Sequence, residues 1–307
     1  MKLKTIDIES FEEAFGEKTS EFVRDKILSY DFSYQEVSKD EKEKLVLSII
    51  KKIDSGLSRS GEHRLNEWNK GWAENRNQLE EDLSFESLIP KYFGKLPYVR
   101  WKQEFIRPTS DNFEYNMVQA LQYWLFEKFF SSVESIYEFG CGTSHNLFRA
   151  AQTNPDAEIW GLDWAASSQE TISLINKNLN LNFNSHKFDF FNIDEQFKLN
   201  KNSGVYTFAA LEQVGESHKD FINYLLDQNP EVCLHVEPIA EMIDENNLND
   251  YLSIQYFKGR NYLSSFYDYL LDLESEDKIE ILMSKPSFIG SQYINGYSSV
   301  AWRPKNV

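Results

Sequence analysis

The stretch 134–146 reads ESIYEFGCGTSHN. An apolar run of strand type passes through Glu138 and Phe139 and gives way at once to Gly140, Cys141, Gly142 and Thr143. A tight turn needs one glycine. Two of them with an acid just upstream let the backbone come close to something that is not protein, because neither position carries a Cβ. The helix expected over 144–153 begins with N–H groups that have no intrahelical partner. Strand, glycine turn and helix together open a βαβ unit.

The alternation continues downstream. Strand patterns fall at 135–139, 158–163, 184–190, 204–211 and 231–238, with helical patterns at 167–178 and 217–228. The C-terminal part adds a helix over 262–273 and strands over 278–285 and 298–304, and a strongly apolar helix (112–132) precedes the whole series. Strands alternating with helices of this length predict an α/β fold with a mostly parallel sheet. In such a sheet, ligands bind beyond the C-terminal strand ends where the strand order reverses.

Residues 1–112 read as mainly helical and irregular, an extension ahead of an α/β domain at 113–307. SEFVRDKILSY (20–30) and EKEKLVLSIIKKI (41–53) space their apolar residues helically, and Ser38 is placed to cap the second. Trp68 and Trp72 stand four residues apart and share a helix face, either as core or as the lining of a lid over a substrate pocket. SLIPKYFGKLPYVRW (87–101), with Pro90, Gly94 and Pro97, reads as an extended connector.

Of the 307 residues, 41% are hydrophobic and 15% aromatic, so a sizeable core is within reach; the formal net charge is −17. That balance disfavours phosphodiester backbones and anionic membranes as partners. Cys141 and Cys233 form neither a disulfide framework nor a metal-binding spacing, and no metal is expected. With no signal-peptide run and no segment of 18 consecutive apolar residues, a soluble cytoplasmic protein is the expectation.

Asp163 ends the second strand, 21 residues after Gly142. A carboxylate there suits the two hydroxyls of a ribose. Asp189, in KFDFFN, ends the third strand and suits an adenine amino group, with Phe190 or Phe191 against the ring. A dinucleotide fingerprint would want a third glycine where His145 stands. The series EFGCGTS, GLDWA, FDFFN and FAALEQV, in that order, resembles the class I S-adenosylmethionine-dependent methyltransferases over roughly 115–307. The resemblance implies a Rossmann-like, mostly parallel seven-stranded sheet between helices. It implies that Glu138, Gly140, Cys141 and Gly142 hold the methionine part, Asp163 with Trp164 the ribose, Asp189 and Phe190 the adenine, and that Phe208 and Ala209 border the sulfonium. Gln213 departs from the pattern by standing where that family often has His.

A sulfonium methyl is already activated, so the chain has to align the acceptor, exclude water and take a proton where the acceptor is a hydroxyl. His235 and Glu237, two apart in LHVEP, share a strand face and are candidate catalytic groups; His145, at the start of a helix, is a third. Arg260, Tyr262 and Trp72 are candidate acceptor contacts. The expected function is S-adenosylmethionine-dependent methylation of a small molecule, a sugar or another polar metabolite, with oxygen favoured as the acceptor atom, by a monomer or homodimer. Two rivals stand beside it: an NAD(P)-dependent oxidoreductase on the same kind of turn, and an inactive methyltransferase-like binding protein.

Overall fold

The computed structural model describes residues 3–295 and 297–305. The first part of the chain runs β1 (Leu3–Thr5), α1 (Ile8–Phe15), α2 (Glu21–Leu28), β2 (Ser33–Glu36), α3 (Lys39–Asp54), α4 (Leu65–Glu81), β3 (Val99–Trp101) and β4 (Glu104–Pro108). Then come α5 (Phe113–Phe130), β5 (Ser135–Phe139), α6 (Leu147–Thr153), β6 (Glu158–Asp163), α7 (Ala166–Leu179), β7 (Asn184–Lys187) and β8 (Ser203–Phe208). The remainder is α8 (Lys219–Gln228), β9 (Val232–Glu237), α9 (Leu248–Arg260), α10 (Phe266–Ser275), β10 (Ile279–Lys285), β11 (Ile289–Ser291) and β12 (Ser298–Pro304).

Seven strands form the central sheet in the order β10-β12-β9-β8-β5-β6-β7. Strands β9, β8, β5, β6 and β7 are parallel neighbours, and β12 lies antiparallel between β9 and β10. The chain winds outward from β5 through β6 to β7, then returns to the other side of β5 with β8 and β9. The order reverses between β5 and β8, so a crevice opens beyond their C-terminal ends. Every residue of β5, β8 and β9 is buried, as a parallel sheet covered on both faces requires. This is the Rossmann-like, mostly parallel seven-stranded sheet that the resemblance implies.

Helix α5 is apolar almost all round and accordingly sits inside the molecule, against α2, α6, β9 and β11. The region before it is mainly helical, as expected, and also carries a second sheet of order β1-β2-β4-β3-β11, antiparallel throughout. The sequence reading did not foresee that sheet. Part of the connector it read at 87–101 is strand β3, and β3 turns into β4 through Lys102 and Gln103, both at positive φ (49° and 67°). A two-residue loop with both residues left-handed matches the twist of a hairpin, but its usual sequence marks are Asn-Gly or Asp-Gly.

Strand β11 belongs to the C-terminal part by position and to the first sheet by pairing, so the two regions are sewn together. Arg100, on β3, strengthens the seam. It is wholly buried, donates to the Asn249 carbonyl at 2.7 Å and the Gln292 carbonyl at 3.2 Å, and lies over the Phe105 ring. Buried hydrogen bonds from a charged donor contribute about 1.5–3 kcal/mol each. Arg100→Leu is therefore expected to lower the unfolding free energy by about 2–5 kcal/mol, while Arg303→Leu, which removes only the exposed pair with Glu280, should change it by about 0–1 kcal/mol. Denaturant titration of both variants checks this; equal effects would mean that Arg100 does not join the two regions.

Candidate functional site

The turn after β5 is held from two directions. Gly140 N–H and Cys141 N–H both donate to the Leu162 carbonyl, at 2.7 and 3.0 Å. Asp163 accepts from Gly142 N–H through Oδ2 and from Ala165 N–H through Oδ1, each at 2.8 Å. Gly140 and Gly142 have φ of 83° and 53°. A Cβ at Gly140 would fall 2.3 Å from the Cβ of Ala210, and one at Gly142 would fall 3.1 Å from the Trp72 ring. Both positions thus need glycine for backbone shape and for closeness to a neighbour.

Two adjoining cavities share Trp68, Trp72, Gly140 and Ala209 in their walls. The smaller, about 60 Å³, is bounded by Asp163, Gln213, Ala210 and an aromatic set of Trp164, Phe188, Phe190 and Phe191. Trp164 and Phe191 stack with centroids 5.8 Å apart. The larger, about 270 Å³, is bounded by the rest of the glycine turn, Thr143, His145, Asn146, Phe208, Glu114 and Glu212, and by several tyrosines. Trp68 and Trp72 stack at 5.1 Å on α4 and line both cavities. The Trp68 Nε1–H is buried without a partner.

Beneath the turn lies a buried polar network. Glu138 accepts from Asn146 Nδ2 at 2.7 Å and from the Tyr206 hydroxyl at 2.9 Å. Arg149, itself 1% exposed, donates to Asn146 Oδ1, the Tyr115 hydroxyl and Gln119, and also to Gln122. Burial pushes the Glu138 carboxyl up to about 8, against the pull of those donors and of Arg149. Burial likewise raises Asp163, to about 6, although its backbone donors favour the ionised form.

Gly140, Cys141, Gly142, Asp163, Trp164, Phe190, Phe208, Ala209, His145, Trp72 and Tyr262 therefore gather around the cavities. Five sequence candidates do not line them. Glu138 lies one layer below and orients Asn146. Asp189 falls past the end of β7, where its Oδ1 accepts from Phe191 N–H at 2.9 Å in a local turn; the adjacent phenylalanines face the cavity in its place. Arg260 ends α9 rather than starting a helix; it donates to the Ser58 carbonyl and packs over Tyr262.

His235 and Glu237 do share a face of β9, but that face is covered. His235 is fully buried among Phe221, Phe266 and Trp302, with Nδ1 sharing a hydrogen bond with the Thr207 hydroxyl at 3.0 Å. Burial holds its pKa down at about 3. Glu237 accepts from the N–H groups of Ala210, Leu211 and Glu212, each at 3.1 Å. It shapes the turn after β8 and does not reach an acceptor. His145 lines the larger cavity and shares a 2.9 Å hydrogen bond with Thr143; burial keeps it well below the usual imidazole range.

The sequence reading missed Glu114, Asn146, Phe188 and the tyrosines of the larger cavity. An acid in the first turn of an apolar helix reads as a partner of the helix dipole. Only the tertiary fold shows that Glu114 also looks into a cavity. Among the described residues, no group of three or more His, Cys, Asp or Glu is placed to hold a metal ion, and no helix is long and apolar enough to cross a membrane.

No protein-family model and no curated protein matches this chain. Among solved structures it is similar to the [4+2]-cyclase SpnF, at 13% identity and TM-score 0.46 over 60% of this chain and 80% of that one. It is similar to the plantazolicin methyltransferase BpumL in complex with SAH, at 14% identity and 0.44 over 80% and 98%. Human N-acetylserotonin methyltransferase in complex with SAM gives 13% and 0.42 over 64% and 57%.

The covered position of His235 has a measurable consequence. Its folded-state pKa lies below its unfolded value, so it contributes stability that is present above about pH 6.5 and lost as pH falls toward 3. His235→Gln should show a smaller loss of stability across that window than the wild type, and the affinity of the crevice for its ligands should stay within about threefold of wild type. A variant that folds normally but has lost ligand binding would return His235 to the site.

Proposed function

We propose that the chain is an S-adenosylmethionine-dependent methyltransferase acting on a small molecule. The observation that supports this most is the pairing of a side-chain-free turn at 140–142 with the Asp163 carboxylate and an aromatic wall, all at the point where strand order reverses. These residues fit an adenosine carrying an amino acid tail. Trp164, Phe190 and Phe191 would lie against the base. Asp163, which already accepts two N–H groups, has further lone pairs for the ribose hydroxyls. Asn146, Thr143 and the turn backbone would meet the polar tail in the larger cavity.

When bound, S-adenosylmethionine supplies a methyl group on a positively charged sulfur. The chain's task is position and exclusion. Trp68 and Trp72 keep bulk water from the two cavities, and Phe208 and Ala209 hold an apolar rim at the end of β8. The nicotinamide reading makes no use of the larger cavity and its carboxyls.

Calorimetry with S-adenosylmethionine, S-adenosylhomocysteine and NAD separates these readings. The first two should bind and quench the fluorescence of the lining tryptophans, and NAD should give no heat. Trp164→Ala removes a half-buried ring whose stack is with Phe191, and should weaken S-adenosylhomocysteine by about tenfold, in line with about 1–3 kcal/mol for a base on an aromatic face. Binding of NAD alone would hand the crevice to a dehydrogenase.

A further inference from the structure

The larger cavity carries chemistry that cofactor binding does not use. Two carboxyls, Glu114 and Glu212, face into it, and among the described residues no Lys or Arg lines it. Glu212 is 6% exposed; its Oε1 accepts from Gln213 Nε2 at 2.7 Å, while its Oε2 is buried with no hydrogen-bond partner. Tyr92 and Tyr297 line the same cavity; Tyr297 is buried, and that burial first, then the Glu114 charge, holds its phenol above the ordinary range. Tyr256 and Tyr293 add a stacked pair, 5.1 Å apart and 10° from parallel. Arg260 lies outside the cavity wall, packed over Tyr262; it makes no ion pair with Glu212 among the described residues, although its charge favours the ionised carboxyl.

Each feature selects for the same chemistry. A buried carboxyl oxygen without a partner gains most from a charged N–H donor. An ammonium offers up to three such donors with full positive charge, whereas an alcohol offers one neutral donor. Aromatic faces attract a cation and do little for a neutral hydroxyl. An anionic acceptor would meet two acids and no base. Resting on the methyl-transfer reading, we infer that the acceptor is a primary or secondary amine, bound as the ammonium at Glu212 in the cavity that Glu114 and the tyrosines also wall. This replaces the hydroxyl acceptor that the sequence favoured.

The transfer balances with the residues present and S-adenosylmethionine as co-reactant. The ammonium gives one proton to a carboxylate, that of Glu212, whose buried Oε2 accepts no hydrogen bond among the described residues. The nitrogen lone pair then forms the new N–C bond while the electrons of the methyl–sulfur bond pass to sulfur, leaving a neutral thioether. The methylated product carries the positive charge, and the proton on Glu212 leaves to solvent.

Binding measurements test this without relying on turnover. Phenethylamine and cyclohexylamine are titrated, beside phenethyl alcohol and cyclohexanol, into protein saturated with S-adenosylhomocysteine. The amines should bind about tenfold tighter than their alcohols, the size of one desolvated cation–aromatic contact plus one charge-assisted hydrogen bond after losses. Glu212→Gln should abolish that preference and leave S-adenosylhomocysteine affinity unchanged. Glu114→Gln, on a different element, should reduce it several-fold, and covers the case in which the first variant folds poorly. Normal S-adenosylhomocysteine binding with no preference for amines overturns the amine inference and leaves the methyltransferase reading intact. Failure of S-adenosylhomocysteine to bind overturns both.

Discussion

One carboxylate holds the functional end of this protein together. Asp163 takes the N–H of Gly142 from the turn after β5 and the N–H of Ala165 at the start of α7. Both groups are buried, and a buried N–H left without an acceptor costs about 1–3 kcal/mol. The clamp therefore fixes the glycine turn against the neighbouring strand end before any ligand arrives. The ends of β5 and β6 cannot drift apart, and the crevice at the reversal of strand order is preformed.

The layer beneath the turn shows why it can bear such closeness. Glu138, Asn146 and Arg149 form a continuous chain of hydrogen bonds, extended by Gln122, Gln119 and Tyr115 from α5. A buried guanidinium is costly unless its donors are met, and here they are met by oxygens of neutral groups, with Glu138 supplying the nearby charge. The most apolar helix of the chain thus presents its few polar side chains where the glycine turn needs support. The same helix begins with Glu114 at the larger cavity, so one element serves both the scaffold and that cavity.

Much of this was legible in the sequence because the period of a strand and the emptiness of a glycine are local properties. The five parallel strands, the turn at 140–142, and Asp163 at a strand end all followed from residue spacing. What spacing could not give is which side of a strand looks at the cleft. His235 and Glu237 do share a face, but β9 is covered on both sides, and their face belongs to the packed interior with Phe266 and Trp302. The hairpin at Lys102 and Gln103 carries none of the residues that usually announce left-handed turns, so the second sheet stayed hidden. Helix α9 escaped because the apolar residues of LNDYLSIQYFKGR are spread round its circumference without a clear stripe.

The turn after β8 shows how a residue can matter to the site without touching a ligand. Ala209 is left-handed, at φ 49°, a conformation that costs a residue with a Cβ about 1–2 kcal/mol. Its N–H is held by the Val236 carbonyl, and Glu237 gathers the next three N–H groups in succession. Burial raises the Glu237 carboxyl to about 7 while those three donors pull it back toward the ionised form. Its negative charge also raises Glu212, whose own burial does most to push it to about 8. The Gln213 donor, the Arg260 charge and the Tyr262 hydroxyl, in that order, pull it back down. Burial and a second acid disfavour the Glu212 anion, and the Gln213 donor and the Arg260 charge offset part of that cost. The strain at Ala209 and the repulsion between Glu212 and Glu237 are thus two costs carried at one turn, and an incoming positive charge relieves the second of them.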